Sequence, residues 1–269
     1  MSFIASKDNI NSNIIIFGCP FDSTSSFRPG SRFGPNAIRN VSELIETYSP
    51  VLDMDLEDID FYDNGDLELV FGNTLKSLEI IERFAYEKVK YGKKLIGLGG
   101  EHLISYPIIK TYASFYKDLN VIHLDAHADL RDDYLGEKFS HATVMKRVSD
   151  IIGISRMHAF GIRSGTRDEF KTVNLYSKDG IIDFISSSDK PLYFTLDLDV
   201  LDPSILPATG TPEAGGISFK DLMDVIYSLK TKNIVGADIV ELAPMYDNYT
   251  NSAAVAAKIL RELILIMSL

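Results

Sequence analysis

Short apolar runs recur along the chain, and longer segments of mixed apolar and polar residues separate most of them. The runs have the length of buried strands and cover residues 14–17, 95–98, 120–125, 157–162, 192–198 and 234–240. Apolar positions repeat at helical spacing in several segments between or after them, most clearly at 73–91, 218–230 and 250–268. Alternating strands and helices predict an α/β fold with a mainly parallel central sheet covered on both faces.

Residues at the ends of these segments are typical helix caps. Asn73 stands where the first helix would begin, and Gly92 stands where it would stop. Ser218 opens the second helix in the same way, and Pro35 fits the first turn of a helix near the N-terminus. The capping pattern therefore supports the helices that periodicity predicts.

The chain has 269 residues, of which 45% are hydrophobic, enough for a sizeable core. No Pro-, Gly- or Ser-rich linker, low-complexity tract or internal repeat interrupts it. We therefore expect a single domain covering residues 1–269.

Charge and cysteine content narrow the possible partners and the compartment. The formal net charge of -11 argues against nucleic acid or an anionic membrane as a partner and suits a cationic small molecule. Neither the N-terminal segment nor the charged apolar segment 253–269 has the pattern of a signal peptide or a membrane span. The single cysteine, Cys19, lies in an apolar run where we expect it to be buried, and this usage fits the reducing cytoplasm.

Histidine and aspartate residues follow three of the predicted strands. One set lies in HLDAHADLRDDYLGEKFSH at 123–141, a second in LDLD at 196–199, and a third in GGEH at 99–102. The candidate metal ligands among them are His102, Asp125, His127, Asp129, Asp197 and Asp199. Because the carboxyl ends of parallel strands open onto one crevice, we expect these side chains to form one site.

Their charges favour two divalent cations. Two neutral imidazoles and four carboxylates carry a formal charge of minus four, which two divalent ions would balance. Nitrogen and oxygen ligands without a thiolate suit Mn, Fe, Co or Ni better than a closed structural zinc site. Water between two cations is acidified and becomes a nucleophile, so the pattern predicts a hydrolase.

Longer blocks of sequence resemble the ureohydrolase (arginase/agmatinase) family. These blocks are GGEH at 99–102, DAHADL at 125–130, SHAT at 140–143, LDLDVLDPSILPATGTPEAGG at 196–216, STSSFRPGSRFGPNAIR at 23–39 and VELAPMYD at 240–247. They span almost the whole chain in the family's order. The resemblance implies the family's three-layer α/β/α sandwich, an arginase-like fold.

The resemblance also implies a pair of Mn²⁺ ions and roles for particular residues. One ion would be bound by His102, Asp125, Asp129 and Asp197, and the other by His127, Asp125, Asp197 and Asp199, with Asp125 and Asp197 bridging. The residues implied in catalysis are His141 for proton transfer, Glu241 for pairing with the substrate guanidinium, and Asp129. Thr211 would contact the substrate beside Glu241 and His141. A metal-bridging hydroxide would attack the guanidinium carbon and release urea and an amine, in a homo-oligomer that is a trimer or hexamer.

The segment between Asp129 and His141 bears on the choice of substrate. LRDDYLGEKFSHAT resembles the agmatinase version, which favours agmatine, cleaved to urea and putrescine. Asp132 and Asp133 would favour the free amine of agmatine, whereas Arg131 could meet a carboxylate. Guanidinobutyrate, guanidinopropionate and arginine therefore remain alternative substrates, with formimidoylglutamate a further possibility in the family.

Two alternatives lie outside the amidinohydrolases. One is a two-metal hydrolase acting on another amide or a phosphoester, and the other is a non-catalytic metal-binding paralogue.

Other polar residues are predicted to be structural. We expect His123 and His158 to be packed and hydrogen-bonded, Asp202 to form a turn before proline, and Arg163 to make structural pairs. Glu101 is expected to support a metal-bound histidine, with a simple charge at the end of a strand as the alternative.

Overall fold

The computed structural model describes residues 1–269. Its strands are β1 (Ile14–Cys19), β2 (Tyr48–Ser49), β3 (Met54–Asp55), β4 (Phe61–Asp66), β5 (Lys94–Gly99), β6 (Asn120–Leu124), β7 (Met157–Phe160), β8 (Leu175–Tyr176), β9 (Leu192–Asp197) and β10 (Ile234–Val240). Eight of them form one sheet in the order β4-β1-β5-β10-β9-β6-β7-β8, while β2 and β3 pair separately as an antiparallel ribbon. Every neighbouring pair in the large sheet is parallel, so the carboxyl ends of all eight strands lie along the same edge.

Helices cover both faces of this sheet. They are α1 (Gly34–Ser42), α2 (Thr74–Val89), α3 (Ser105–Phe115), α4 (Val144–Ile152), α5 (Arg167–Thr172), α6 (Lys178–Ser187), α7 (Phe219–Ser228) and α8 (Asn251–Met267). The predicted caps are confirmed: Asn73 accepts from the Lys76 N–H at 3.0 Å, and Ser218 accepts from the Asp221 N–H at 3.0 Å. Pro35 lies in the first turn of α1.

Alternation along the strands divides the core into two layers. Ile14 and Ile16 of β1 face α1, α6, α7 and α8, whereas Ile15 and Phe17 face α2, α3 and α4. The central strands are buried along their length because both faces are covered. The predicted α/β/α class with a parallel sheet is thus confirmed.

Two strands of the sheet were not predicted, and both lie at its edges. An edge strand packs less completely, so it needs no apolar run. β4 has the sequence FYDNGD, in which Asp63 and Asp66 pair with the buried Arg39 guanidinium. β8 has only two residues.

Cys19 is fully buried, as predicted. None of the helices combines the length and the apolar character that crossing a bilayer requires.

Candidate metal centre

Three neighbouring parts of the sheet edge carry the predicted ligands. His102 follows β5, the segment 125–129 follows β6, and Asp197 and Asp199 lie at the end of β9. We call these six side chains the ligand cluster: His102, Asp125, His127, Asp129, Asp197 and Asp199. All are buried except His127, whose side chain is 25% exposed.

Backbone N–H groups orient three carboxylates of the ligand cluster. The Asp199 Oδ1 accepts from the Ala126 N–H at 3.0 Å, which ties the segment after β6 to the segment after β9. The Asp197 Oδ1 accepts from the Asp199 N–H at 2.9 Å, and the Asp125 Oδ1 accepts from the His127 N–H at 2.6 Å. The carboxylates are therefore fixed before any ligand binds.

One half of the ligand cluster surrounds the Nδ1 atom of His102. This nitrogen lies 3.0 Å from the Asp125 Oδ2, 3.3 Å from the Asp129 Oδ2 and 3.4 Å from the Asp197 Oδ2. The His102 Nδ1 is buried and has no hydrogen-bond partner. Its other nitrogen, Nε2, lies 2.9 Å from the Thr195 Oγ1, and that hydroxyl donates to Asp238.

The other half surrounds the Nδ1 atom of His127. It lies 3.0 Å from the Asp199 Oδ2 and 3.6 Å from the Asp125 Oδ1. Asp125 thus directs one oxygen towards each histidine, which is the arrangement of a bridging carboxylate. His123 contacts the first of these oxygens through its Nε2 at 2.9 Å, and we interpret it as a support for Asp125.

Crowding of the carboxylates perturbs their ionisation. Burial raises the pKa of Asp197 well above its usual range, and the charges of Asp199 and Asp125 raise it further. Burial opposes ionisation of Asp125 as well, but the neighbouring imidazoles of His102, His123 and His127 hold the pKa of this carboxyl well below its usual range. Burial lowers the pKa of His127, but the Asp125 and Asp199 carboxylates outweigh burial and raise this pKa to about 12. Buried carboxylates crowded in this way favour a positive charge between them.

These observations fit a pair of divalent cations. The unpartnered His102 Nδ1 faces three carboxylate oxygens, and His127 Nδ1 faces two more. The donors are nitrogen and oxygen atoms only, the set that suits Mn²⁺ and related metals. The residues present therefore match the predicted metals in number and in chemistry.

Glu241 lies beside the ligand cluster, immediately after β10. Its N–H donates to the Gly100 carbonyl at 2.9 Å, and its Oε1 accepts from the His102 N–H at 2.8 Å. Burial, followed by repulsion from Glu101, raises the pKa of Glu241 well above its usual range. A cationic ligand would favour the charged form of this carboxylate.

Two site residues have left-handed backbone conformations that non-glycine residues rarely adopt. The φ angles are 53° at Asp129 and 68° at Glu241. Such residues cost about 1–3 kcal/mol each and persist only where surrounding structure fixes them. For Glu241, the hydrogen bonds to Gly100 and His102 fix the residue in this conformation.

A cavity of about 260 Å³ opens above the ligand cluster. The predicted catalytic and substrate-contacting residues line it together, namely Asp129, His141, Thr211 and Glu241. Thr211 lies with its Oγ1 3.5 Å from the Asp199 Oδ2. Burial lowers the pKa of His141, so its imidazole is neutral over much of the physiological range.

Asp132 and Asp133 do not line this cavity, so a preference of these two residues for a free amine would act through their field alone. Asp132 is 74% exposed and pairs with Arg147 at 2.6 Å, while Asp133 accepts from the Gly136 N–H in a turn. Glu169 of α5 does line the cavity, and its side chain is buried.

Arg131 and Tyr134 line the same cavity as Glu169, and both come from the segment that bears on the choice of substrate. Its Oε2 lies 3.9 Å from the Arg131 Nε, and the Arg131 guanidinium lies over the Tyr134 ring. No sequence motif singled out Glu169, although the spacing of Thr166 and Glu169 is that of a capping box.

The residues predicted to be structural are so. The His158 ring stacks on Phe184 with 3.6 Å between centroids, and Asp202 accepts hydrogen bonds within its turn. Arg163 donates to several main-chain carbonyls, including those of Asp199 and Glu213 at 2.7 Å.

Glu101 differs from its prediction. Its carboxylate accepts from Thr24, which in turn contacts His141, and not from a histidine of the ligand cluster. Burial raises the pKa of Glu101 to about 7, although hydrogen bonds from Thr24 oppose the shift.

Comparison with known proteins agrees with this fold and site. The model of the arginase family matches residues 12–266. An agmatinase of Bacillus anthracis is 47% identical over 266 residues, which cover 94% of this chain and 91% of the relative. An agmatinase of Bacillus subtilis strain 168 is 44% identical over 275 residues, covering 98% and 95%.

A crystal structure of the agmatine ureohydrolase of Thermoplasma volcanium superimposes with a TM-score of 0.91 at 34% identity, covering 99% of this chain and 94% of that one. The chain belongs to the arginase family. It is a hydrolase that acts on carbon–nitrogen bonds of amidines.

Proposed function

We propose that this protein hydrolyses agmatine to urea and putrescine with the help of two Mn²⁺ ions. The observation that carries the proposal is the position of the Glu241 carboxylate, which lines one small cavity together with residues of the ligand cluster. The printed names of the Bacillus relatives, both agmatinases, support the choice of agmatine.

Glu241 would bind the guanidinium. A carboxylate accepts two parallel hydrogen bonds from a planar guanidinium, and burial strengthens this charged contact. The bond from the His102 N–H to Oε1 fixes the carboxylate, while Oε2 and the second lone pair of Oε1 remain available. The Thr211 hydroxyl lines the same cavity and would contact the guanidinium beside it.

The ligand cluster would hold the two ions as the family resemblance implies, with His102 and Asp129 on one ion, His127 and Asp199 on the other, and Asp125 and Asp197 bridging. When bound, the metals supply an activated water and neutralise developing negative charge. The N–H donors to Asp125, Asp197 and Asp199 keep these carboxylates in position.

His141 would transfer the proton that the departing amine needs. Its ring is held between Thr24 and Ser26 at the cavity wall, and the ring of Tyr134 lies edge-on to it. Burial keeps the neutral form available, so the imidazole can accept a proton and then donate it.

Glu169 and Arg131 would meet the substrate tail. A cationic amine would replace Arg131 as the partner of the buried Glu169 carboxylate, whereas a tail carboxylate would pair with Arg131. Because the Arg131 side chain is 41% exposed whereas Glu169 is buried and held by backbone N–H groups, we propose that the fixed acidic group selects the amine of agmatine.

Three further parts of the proposal concern organisation. We propose a single catalytic domain covering residues 1–269, a homo-oligomer, trimer or hexamer, and a cytoplasmic location. Size-exclusion chromatography with light scattering tests the oligomer.

The experiment that tests the function is urea release by Mn²⁺-loaded protein from agmatine, arginine, guanidinobutyrate and guanidinopropionate, compared as kcat/KM. We expect agmatine to give the highest value. Glu169→Gln should lower kcat/KM for agmatine and narrow its lead over guanidinobutyrate, while the exposed Asp132→Asn should change neither.

A higher kcat/KM for a carboxylated substrate would assign the tail to Arg131 instead. Absence of turnover with every compound, in protein that binds two metals, would favour the non-catalytic paralogue.

A further inference from the structure

The segment STSS at 23–26 lies in the loop after β1 and contacts His141. The proposed function gives this segment no part in proton transfer. Within this segment, Thr24 links two site residues, because its hydroxyl lies between the buried Glu101 carboxylate and the His141 ring. The contact joins a group from the end of β5 to one from the segment after β6.

Each hydrogen-bonding position of the Thr24 hydroxyl has a partner. The hydroxyl donates to the Glu101 Oε1 at 2.5 Å and accepts from the His141 backbone N–H at 3.0 Å. Its third neighbour is the His141 Nδ1 at 3.2 Å. A hydroxyl has one hydrogen and two acceptor lone pairs, so only a lone pair remains for Nδ1, which must therefore carry the hydrogen.

Glu101 holds Thr24 in this orientation. The carboxylate is fully buried, and its Oε2 also accepts from the Thr24 backbone N–H at 2.8 Å. The Glu101 N–H donates to the Phe21 carbonyl at 2.7 Å, so both ends of the contact are anchored. The hydrogen of the hydroxyl is thus directed to Glu101 and away from the His141 ring.

The other ring nitrogen, Nε2, lies on the cavity side. It is 3.3 Å from the Ser26 Oγ, and Ser26 lines the cavity with His141 whereas Thr24 does not. In a neutral imidazole protonated at Nδ1, Nε2 has the free lone pair. This nitrogen can take the proton released by the attacking water and pass it to the nitrogen of the departing amine, which leaves the ring as it began.

We propose that Thr24, oriented by Glu101, is a positioning residue that holds His141 in the Nδ1-protonated tautomer and so places its basic nitrogen in the cavity. The role of His141 as proton carrier rests on the proposed function, but the tautomer does not. The two can therefore fail separately.

The tautomer is measured directly by magic-angle-spinning NMR of protein labelled with ¹⁵N-histidine. Mg²⁺ replaces paramagnetic Mn²⁺, and the sample is kept at about pH 9, well above the ordinary pKa of a histidine, so that the His141 ring is observed in its neutral form. The chain has five histidines, and His141→Asn identifies the signals of His141. We expect a protonated Nδ1 and an unprotonated Nε2; the reverse assignment in the wild-type protein overturns the proposal, whatever the enzyme's activity.

Variants of Thr24 test the cause. Thr24→Val removes the hydroxyl with little change in shape and should mix or reverse the tautomer, whereas Thr24→Ser should preserve it. Ser26→Ala, which removes the hydroxyl at the other nitrogen, should also preserve it. A Thr24→Val protein that keeps the wild-type tautomer refutes the role of Thr24.

Kinetics add a second measurement. Thr24→Val should lower kcat for agmatine about tenfold, which is less than the full contribution of general acid–base catalysis, about 100-fold or more, because His141 itself is retained. KM and metal content should change little, and Thr24→Ser should recover most of kcat. Unchanged kcat in Thr24→Val overturns the link between tautomer and turnover, while an inactive wild-type protein is a failure of the proposed function and leaves the NMR result to decide the tautomer.

Discussion

Replacing Glu241 by glutamine tests the proposed guanidinium contact, because glutamine has nearly the same shape as glutamate but no charge. The amide oxygen can continue to accept the His102 N–H, now 2.8 Å from Oε1, so the backbone should not move. The amide nitrogen takes the place of Oε2 and cannot accept from a guanidinium. Glu241→Gln therefore removes one of two hydrogen bonds and the charge that strengthens the other.

The expected loss follows from these two contacts. A hydrogen bond to a charged group contributes about 1.5–3 kcal/mol, and reducing the second to a neutral bond removes about 1 kcal/mol more. A total of about 3 kcal/mol corresponds to a fall in kcat/KM of roughly 100-fold, since about 1.4 kcal/mol is tenfold.

The assay is urea release from agmatine, with bound metal measured by atomic emission in the same samples. Glu43→Gln is the matched control because Glu43 is exposed at the end of α1 and outside the cavity. A loss below about threefold with both metals bound would refute the pairing. A loss of metal from Glu241→Gln would instead show that this residue acts through His102.

The remaining predictions concern the metal ligands, a buried histidine and a glycine. His127→Ala and Asp197→Ala should each lower metal content together with activity; two bound metals and full turnover in either would contradict its assignment. Burial lowers the pKa of His158 to about 4, below an unfolded value of about 6.5. Between these values the unfolded state binds a proton that the folded state does not, so the free energy of unfolding should fall as the pH is lowered from about 6.5 to about 4. Urea denaturation should show a weaker fall in His158→Gln, and an unchanged profile would exclude this cause. Gly100→Ala should lower the free energy of unfolding by about 1–3 kcal/mol, because the new Cβ would lie 2.1 Å from the Phe21 carbonyl oxygen; wild-type stability in urea would contradict the contact.

The ligand cluster could be predicted because each of its segments follows a strand that sequence alone reveals. β5, β6 and β9 are apolar throughout most of their length, and a parallel sheet brings their carboxyl ends to one edge. The same rule applies to the loop after β1, so a site role for Thr24 was within reach of the sequence. Its link to His141 was not, because it depends on how two irregular loops fold.

Substrate selection was predicted less well, for a physical reason. Acidic residues near a site look alike in sequence whether they face a cavity or solvent. Asp132 is turned outward by Arg147, whereas Glu169 is turned inward because its carboxylate also accepts from the Leu130 and Thr166 N–H groups. β4 escaped detection because its polar residues serve a buried arginine at the sheet edge.

The place of β10 in the sheet has a consequence for the order in which the chain folds. β10 is the last strand in sequence, yet it lies between β5 and β9 and separates the two strand ends that carry His102 and Asp197. Before residues 234–240 are available, β5 can pair with β1 and β9 can pair with β6, but the strand that joins these two halves of the sheet is missing. We therefore expect the complete ligand cluster to assemble only after β10 has entered the sheet, because His102 is held on one side of this strand and Asp197 on the other.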